Sequence, residues 1–390
     1  MSAKRFELIR EEPFRVFFPA GLLMGCAGVV LWPLFYTDWL GYYPAVAHTK
    51  LMILGFIGAF VVGFLGTAFP RLLGVIELSY AELIISGGSW FLGCFSCLLN
   101  WIQVADFCFI LSLSVLLCSM VGRFFFREDT PPPGFVLVGA SLISLWVSLF
   151  LNLLMSIGGF AIFPQWFTPF ARDLQNIVFP AFILSGVAPY FFPKILGIES
   201  KHDFDESRKI PLGWMRHAVL AGLTAIIGLI GIFLKSMGLE WAGWIFVAVM
   251  LIYGLIEIPF RPSRPRWGCM SLGLGVGVVC FWLGLVLQMM FPQLRIGYFH
   301  LMMIAGIAHC MAIVSLRVIH GHAEVPEKTL GWVKWILWLS GLILLAALTR
   351  LFADIVLQIR VSHLIYAAVL WLVLSVIWFV GVRKLLLKSE

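Results

Sequence analysis

Charged residues are scarce in this chain, and their scarcity is the strongest constraint on its fold. Of 390 residues, only 12% are Asp, Glu, Lys or Arg, whereas 61% are hydrophobic and the mean hydropathy is +1.00. A water-soluble domain does not need such a composition, but a bundle of helices embedded in lipid does. The composition therefore excludes a soluble globular protein and predicts an integral protein of the lipid bilayer.

Several signatures of catalysis and ligand binding are absent. The chain has no Walker A loop, dinucleotide-binding fingerprint, Gly-x-Ser-x-Gly elbow or zinc-protease motif. Gly273, Gly275 and Gly277 lie within an apolar run, so close helix packing explains them better than a phosphate-binding loop does. No basic face interleaved with exposed aromatic residues is present, so we expect no nucleic-acid partner.

The eight cysteines do not fall in paired aqueous loops. All but Cys269 lie well inside apolar runs, so we expect no disulfide framework. Cys94 and Cys97 share a helical face and could bind a metal, but no second such pair accompanies them. We therefore interpret both as small residues that pack between helices.

About twelve apolar runs are long enough to cross a bilayer, since a helical crossing needs roughly 20 apolar residues. The amino-terminal stretch has mixed charges and no small-residue cleavage site, so it does not resemble a removable signal peptide. The predicted fold is an all-α, polytopic membrane protein in which residues 1–390 form a single transmembrane helical domain. The predicted spans are residues 15–36, 48–69, 80–101, 105–125, 134–158, 173–196, 213–235, 240–260, 269–291, 299–320, 331–352 and 362–384.

The basic residues predict the orientation of these spans, because Lys and Arg accumulate at cytoplasmic ends. With the amino terminus inside, most of the 27 basic residues, including Arg261, Arg264 and Arg266, fall at inner ends or loops. Both termini are therefore predicted to be cytoplasmic. Orientation and anionic lipid headgroups also explain the net charge of +7. The predicted outer ends hold Lys50, Arg172, Lys235, Arg295, Arg350 and Arg360.

Two histidines open predicted spans that run in the same direction. His48 begins the second span and His300 begins the tenth, so both are expected at similar depth near the outer surface. A bis-histidine haem requires two imidazoles at one level on two helices, because the porphyrin lies between its axial ligands. We therefore predict that His48 and His300 bind haem through its metal.

The remaining histidines divide by depth. On a regular helix His309 would lie roughly 13 Å deeper than His300 and near the opposite azimuth, so it would face another site or a neighbouring helix. Ionisable residues inside spans tend to mark function, and His309 is therefore also a candidate for cofactor binding. His363 opens the twelfth span and is a third candidate at the outer level. The histidines nearer the surfaces are explained as hydrogen-bonded polar residues; they are His202, His217, His320, His322 and His363.

Two charged residues inside spans have simple explanations. Glu257, near the inner end of the eighth span, is expected to pair with Arg261 four residues later, with half of a proton path as the alternative. Lys50 is expected to extend to the outer headgroups, which a long amphipathic side chain can reach.

Four segments resemble motifs of the NnrS family of bacterial membrane proteins. Residues 14–18 are similar to its Phe-Arg-Pro-Phe-Phe opening, and residues 48–56 to its His-Ala-His-Glu-Met-Leu-Phe-Gly-Phe. Residues 63–70 are similar to its Gly-Phe-Leu-Leu-Thr-Ala-Val-Pro, and residues 317–322 to its Arg-x-x-Leu-Gly-His. The matches follow the family's order from the first span to the tenth, and the family also has twelve spans.

The resemblance implies a haem-containing, multi-pass protein of the bacterial cytoplasmic (inner) membrane, associated with the response to nitric oxide and nitrosative stress. His48 matches the first histidine of the second motif. His322 matches the histidine of the last motif, which makes it a candidate metal ligand. Lys50 and Leu51 stand where the family has His and Glu, and this loss of two potential ligands argues against a copper site.

A more distant likeness is to the catalytic subunit of haem–copper oxidases and nitric oxide reductases, which also has twelve spans with both termini inside. Its copper centre needs a histidine from span six and an adjacent pair from span seven. Span six here has none, and span seven has only His217. Reduction of oxygen or nitric oxide at such a binuclear centre is therefore disfavoured.

Three functional hypotheses remain open from the sequence. The first is an NnrS-like haem protein that senses, sequesters or processes nitric oxide or a related small molecule. The second is a metal-free transporter, in which Pro180, Pro189 and Pro193 would interrupt span six. The third is a quinol-linked redox enzyme related to haem–copper oxidases, although the chain shows no quinone-binding motif.

Overall fold

A computed structural model describes residues 3–258 and 267–388 of the protein. The fold is all-helical, with 82% helix and no strand among these residues. A short helix, Ala3–Glu11, precedes twelve helices that are long and apolar enough to cross a membrane. These are α1 (Phe14–Tyr36), α2 (Ala45–Leu73), α3 (Tyr80–Leu98), α4 (Ile102–Phe125), α5 (Phe135–Gly158), α6 (Phe167–Leu196), α7 (Trp214–Ser236), α8 (Glu240–Glu257), α9 (Cys269–Met290), α10 (Pro292–His322), α11 (Lys334–Ile355) and α12 (Leu357–Leu386).

The predicted all-α fold with twelve spans is confirmed. The largest differences are at the amino-terminal ends of α6, α10 and α12, which begin several residues before the predicted spans. In α10 the added residues form a 3₁₀ turn that starts at Pro292. Proline is well tolerated in a first helical turn, because the N–H that it lacks would have no partner there.

Three of these helices contain a stretch of π-helix. The stretches are Leu51–Ile57 in α2, Leu174–Val178 in α6 and Leu301–Ala308 in α10. Their i→i+5 hydrogen bonds widen the turn, so residues beyond each stretch face a different direction from that expected on a regular helix. Stretches of this kind are frequent at functional sites, and two of the three follow His48 and His300 closely.

Helix α6 continues through Pro180, Pro189 and Pro193. A proline inside a helix lacks the N–H that would bond one turn back, and its ring crowds that turn. The π-helical stretch Leu174–Val178 ends two residues before Pro180, where its wider turn relieves this crowding. The interruption expected from the three prolines is therefore not seen.

The chain forms two compact units. Unit 1 comprises Met1–Phe17, Thr49–Tyr190 and Glu199–Phe260, and unit 2 comprises Phe18–His48, Phe191–Ile198 and Arg261–Glu390. In unit 1, α3 packs along α4 and α7 packs along α8. In unit 2, α11 packs along α12 and α9 packs along α10.

Polar side chains join the helices of unit 1. Ser112 Oγ on α4 donates to the carbonyl of Ser86 on α3 at 2.8 Å. The indole N–H of Trp90 donates to the carbonyl of Leu54, inside the π-helical stretch of α2, at 3.0 Å. In an apolar surrounding such bonds hold neighbouring helices together and satisfy backbone groups that irregular turns leave free.

Glycines allow α9 and α10 to approach closely in unit 2. A Cβ atom at Gly277 would lie 2.6 Å from Cys310 Sγ, and one at Gly273 would lie 2.9 Å from Ile313 Cδ1. A Cβ atom at Gly275 would meet nothing within 4 Å. The prediction of close packing is therefore confirmed for Gly273 and Gly277, whereas Gly275 lies on another face.

Aspartates neutralise most of the basic residues at the predicted outer ends. In unit 1, Asp173 contacts Lys235 at 2.6 Å and Arg172 at 3.3 Å. In unit 2, Asp354 contacts Arg350 at 2.9 Å and Arg360 at 3.7 Å. Each of these two carboxylates therefore offsets the charge of two basic side chains.

Lys50 is paired inside unit 1. Its ammonium group forms an ion pair with Asp106 at the start of α4, and only 4% of Lys50 is exposed. The expectation that Lys50 extends to lipid headgroups is therefore wrong. The paired carboxylate explains the burial, since a lysine inside a bundle needs a compensating charge. Of the residues assigned to the inner side, Arg261, Arg264 and Arg266 lie outside the described residues.

Candidate functional site

His48 and His300 lie side by side in unit 2. Their ring centres are 6.5 Å apart and their ring planes differ by 22°. His48 lies near the start of α2, and His300 lies directly before the π-helical stretch of α10. The structure thus brings together the two residues that the sequence analysis predicts as haem ligands.

Both rings are oriented by backbone carbonyls. His48 Nδ1 lies 2.9 Å from the carbonyl oxygen of Gly28, and His300 Nδ1 lies 2.8 Å from that of Ile296. A carbonyl oxygen only accepts hydrogen bonds, so each Nδ1 carries the proton and donates it. Each Nε2 is then left with its lone pair, which is the arrangement typical of metal-ligating histidines.

The spacing of the two rings fits a shared metal ion. Two metal–imidazole bonds of about 2 Å, together with the distance from each ring nitrogen to its ring centre, give a centre-to-centre separation of roughly 6 to 6.5 Å. The observed separation is 6.5 Å. The donor set of two imidazoles is also one that haem iron accepts.

Aromatic side chains pack around this pair. The ring of Trp32 on α1 lies 5.9 Å from that of His48 in an edge-on arrangement, and Phe299 lies edge-on to His300 at 5.5 Å. Tyr43 packs edge-on to Trp32 at 5.6 Å. Large rings with few rotatable bonds form a rigid, apolar wall, which suits a planar hydrophobic group.

Arg350 on α11 supplies a positive charge beside the pair. It interacts electrostatically with both His48 and His300, and it is only 8% exposed. Its guanidinium is held by Asp354. A Cβ atom at Gly297 would lie 2.8 Å from Leu351 Cδ1, so the turn before His300 packs tightly against α11. These contacts fix both the charge and the His300 helix in place.

His309 is not part of this pair. Its Nε2 lies 2.9 Å from Ser340 Oγ on α11, and the residue is fully buried. The π-helical stretch Leu301–Ala308 separates it from His300, so the azimuth calculated for a regular helix does not apply. The expectation that His309 faces a neighbouring helix nevertheless agrees with its contact to Ser340.

His322 lies far from the pair, and His363 makes no ring contact with the pair among the described residues. His322 is the last residue of α10, roughly 33 Å along the helix axis from His300, so one ion cannot bind both residues. His363 packs against the rings of Phe352 and Tyr366, at 6.5 and 5.6 Å. Neither of these two rings belongs to the His48–His300 pair.

A second cluster was missed by the sequence analysis. In unit 1, the carboxylate of Glu257 contacts both His202 and His217, at 2.7 and 2.8 Å. Arg261, the partner expected for Glu257, lies outside the described residues. The sequence did contain a signal for this cluster, because all three residues fall at the predicted inner ends of neighbouring spans.

Two of the segments that carry the family resemblance meet in unit 1. The backbone N–H of Phe14 donates to Thr67 Oγ1 at 3.4 Å. Glu12, two residues before Phe14, contacts Arg71 at 3.1 Å and Arg15 at 2.5 Å. The first and third motifs therefore hold the start of α1 against the end of α2.

The family model described as NnrS protein matches residues 9–389. A search of curated proteins finds no match. The family match covers nearly the whole chain and confirms the resemblance seen in the four motifs. The chain therefore belongs to the NnrS family.

Proposed function

We propose that this protein binds haem between His48 and His300 and acts in the response to nitric oxide or nitrosative stress in the bacterial inner membrane. The observation that carries the proposal is the 6.5 Å separation of two imidazoles whose Nδ1 atoms are already engaged by carbonyls. Family membership adds support, since haem and nitric oxide are what the resemblance implies. The basic-residue distribution supports an outer position for this site and cytoplasmic termini.

The chain's own residues prepare this site. The carbonyls of Gly28 and Ile296 fix the two ring orientations and increase the basicity of each Nε2. Trp32 packs edge-on against the ring of His48, and Phe299 packs edge-on against that of His300. Arg350, held by Asp354, contributes a positive charge that acts on both rings. A haem held by His48 and His300 would supply an iron centre for electron exchange and for binding a diatomic gas such as nitric oxide.

Copper is a weaker proposal. The two family residues that could ligate it are Lys50 and Leu51 here, and Lys50 is occupied by its ion pair with Asp106. The transporter hypothesis loses its sequence argument, because α6 is continuous through its prolines. No described residue favours quinol-linked catalysis over haem binding alone.

The proposal is tested on the wild-type protein. Purification from haem-replete cells, followed by a pyridine haemochrome assay and metal analysis, should give about one haem iron per chain. The spectra should be those of low-spin haem, because His48 and His300 would both supply imidazole ligands. A colourless preparation from such cells would refute haem binding. Spectral change on addition of nitric oxide would then test the gas-binding part of the proposal.

A further inference from the structure

The cluster of His202, His217 and Glu257 brings three potential metal ligands together in unit 1. One ligand atom from each residue lies within 4.8 Å of the other two. His202 belongs to the segment between α6 and α7, His217 to the first turn of α7, and Glu257 is the last residue of α8. Three separate segments therefore converge on one point.

Two of the three side chains are almost completely buried. The side chain of His202 is fully buried and that of Glu257 is 1% exposed. Both imidazoles contact the same carboxylate, yet Nδ1 of His202 has no hydrogen-bond partner among the described residues. A buried carboxylate needs a compensating positive charge, which a divalent cation bound by the three side chains would supply.

The donor set is one that Zn²⁺ uses. Two imidazole nitrogens and one carboxylate oxygen form a three-ligand zinc site with a fourth position left for water. On a tetrahedral ion with bonds of about 2.0 to 2.1 Å, neighbouring ligand atoms lie roughly 3.3 Å apart. The present contacts of 2.7 and 2.8 Å would need to open by only about half an ångström to admit the ion.

The segment that carries His202 is held in position by its neighbours. Ser200 Oγ donates to the carbonyl of Pro189 at 2.7 Å and accepts from the backbone N–H of His202 at 3.0 Å. Lys201 Nζ donates to the carbonyl of Ile256, next to Glu257, at 2.8 Å. These bonds fix His202 and Glu257 relative to each other without an ion, as a preorganised site requires.

The position of Glu257 also favours a cation. It ends α8, where the last carbonyls of a helix have no intrahelical partner and the helix dipole is negative. We propose that His202, His217 and Glu257 bind one divalent transition-metal ion, with Zn²⁺ as the ion that fits, and that the ion ties the segment after α6 to α7 and α8. This site shares no residue with the His48–His300 pair and does not depend on haem binding.

Zinc content and the zinc coordination of the tag-free protein test this proposal. After treatment with a chelator and removal of the chelator, the full chain is titrated with Zn²⁺ and studied by calorimetry and X-ray absorption at the zinc edge, which haem iron does not obscure. We expect one ion per chain with imidazole and oxygen ligands at about 2.0 to 2.1 Å. Zn²⁺ should also raise the midpoint of thermal unfolding, since it binds the folded state.

Matched variants locate the site. Glu257→Gln and His217→Gln should each weaken binding more than about 100-fold, because even changes outside the ligand sphere cost 10–100-fold. His320→Gln removes another buried histidine, whose Nδ1 bonds only its own helix at Leu316, and should bind zinc as the wild type does. Size-exclusion profiles report whether each variant folds.

Three outcomes would overturn the proposal: no stoichiometric zinc in the wild type, an absorption spectrum without imidazole ligands, or equal affinity in Glu257→Gln. The wild-type measurement decides the matter even if every variant fails to fold. A protein that binds zinc but no haem would reject the proposed function and support the zinc site. A protein that binds haem but no zinc would support the proposed function and reject the zinc site.

Discussion

Purified His48→Ala and His300→Ala proteins are each expected to carry less than about a tenth of the haem of the wild type, because loss of an axial ligand exceeds the 10–100-fold affinity cost of changes around a ligand. Each substitution leaves an iron site with one imidazole instead of two. The pyridine haemochrome assay measures the haem, and the Soret absorbance relative to total protein measures it independently.

His363→Ala is the matched control for this result. His363 opens α12 at the same predicted membrane level but contacts only Phe352 and Tyr366 among the ring contacts described. Its variant should retain the full haem content. Equal haem in all three variants would show that the cofactor is held elsewhere, and equal loss in all three would indicate a general folding defect.

The second large effect is expected at the ion pair between Lys50 and Asp106. Asp106→Asn leaves the Lys50 ammonium buried without its carboxylate, and breaking such a pair costs about 3–5 kcal/mol of folding free energy. Both side chains are almost completely buried. Thermal or denaturant unfolding in detergent should therefore show a markedly less stable protein.

Two further variants show whether the loss of stability comes from the unpaired charge of Lys50 or from any substitution of an aspartate. Asp38→Asn changes an exposed aspartate at a positive φ of 59°, a conformation that asparagine tolerates, and should leave stability nearly unchanged. The double substitution Lys50→Met with Asp106→Leu removes both charges and should recover much of the loss, since apolar replacements of buried pairs are often neutral. An Asp106→Asn protein as stable as the wild type would show that Lys50 has another counter-charge.

The sequence predicted the twelve spans well because a bilayer imposes a length and an apolar composition on every crossing. The same regularity placed His48 and His300 together. Both residues open even-numbered spans, and even-numbered spans all cross the membrane in the same direction. The two histidines are therefore expected at the same depth. A common depth does not predict that two side chains are neighbours within the membrane plane. The structure shows that His48 and His300 are neighbours.

The sequence did not predict side-chain partners that are far apart in the chain. Lys50 pairs with Asp106, and Glu257 contacts His202 and His217, all across tens of residues. General tendencies of side chains in helices predicted other partners instead. Lys50 was expected to reach the lipid headgroups, and Glu257 was expected to pair with the arginine four residues later. Glu257, His202 and His217 all fall near the predicted inner surface, as His48 and His300 fall near the outer one. A common depth was therefore predictable for the cluster as well.

The sequence also did not predict the π-helical stretches. A π-helix is rare and occurs as a short stretch inside an α-helix, so a pattern read on the α-helical period does not reveal it. The stretch Leu301–Ala308 therefore invalidated the azimuth calculated for His309 relative to His300. In α10 the depth of a residue could be predicted from sequence, but the direction of its side chain could not.

Redox titration of a His48→Met protein tests most directly whether His48 and His300 share one haem. Methionine keeps a ligand in the second axial position but replaces an imidazole nitrogen by a thioether, and His/Met ligation raises the reduction potential of haem iron. The account predicts a variant that retains haem, has a higher potential than the wild type and shows the optical spectrum of His/Met coordination. A full complement of haem with an unchanged potential and spectrum would contradict it.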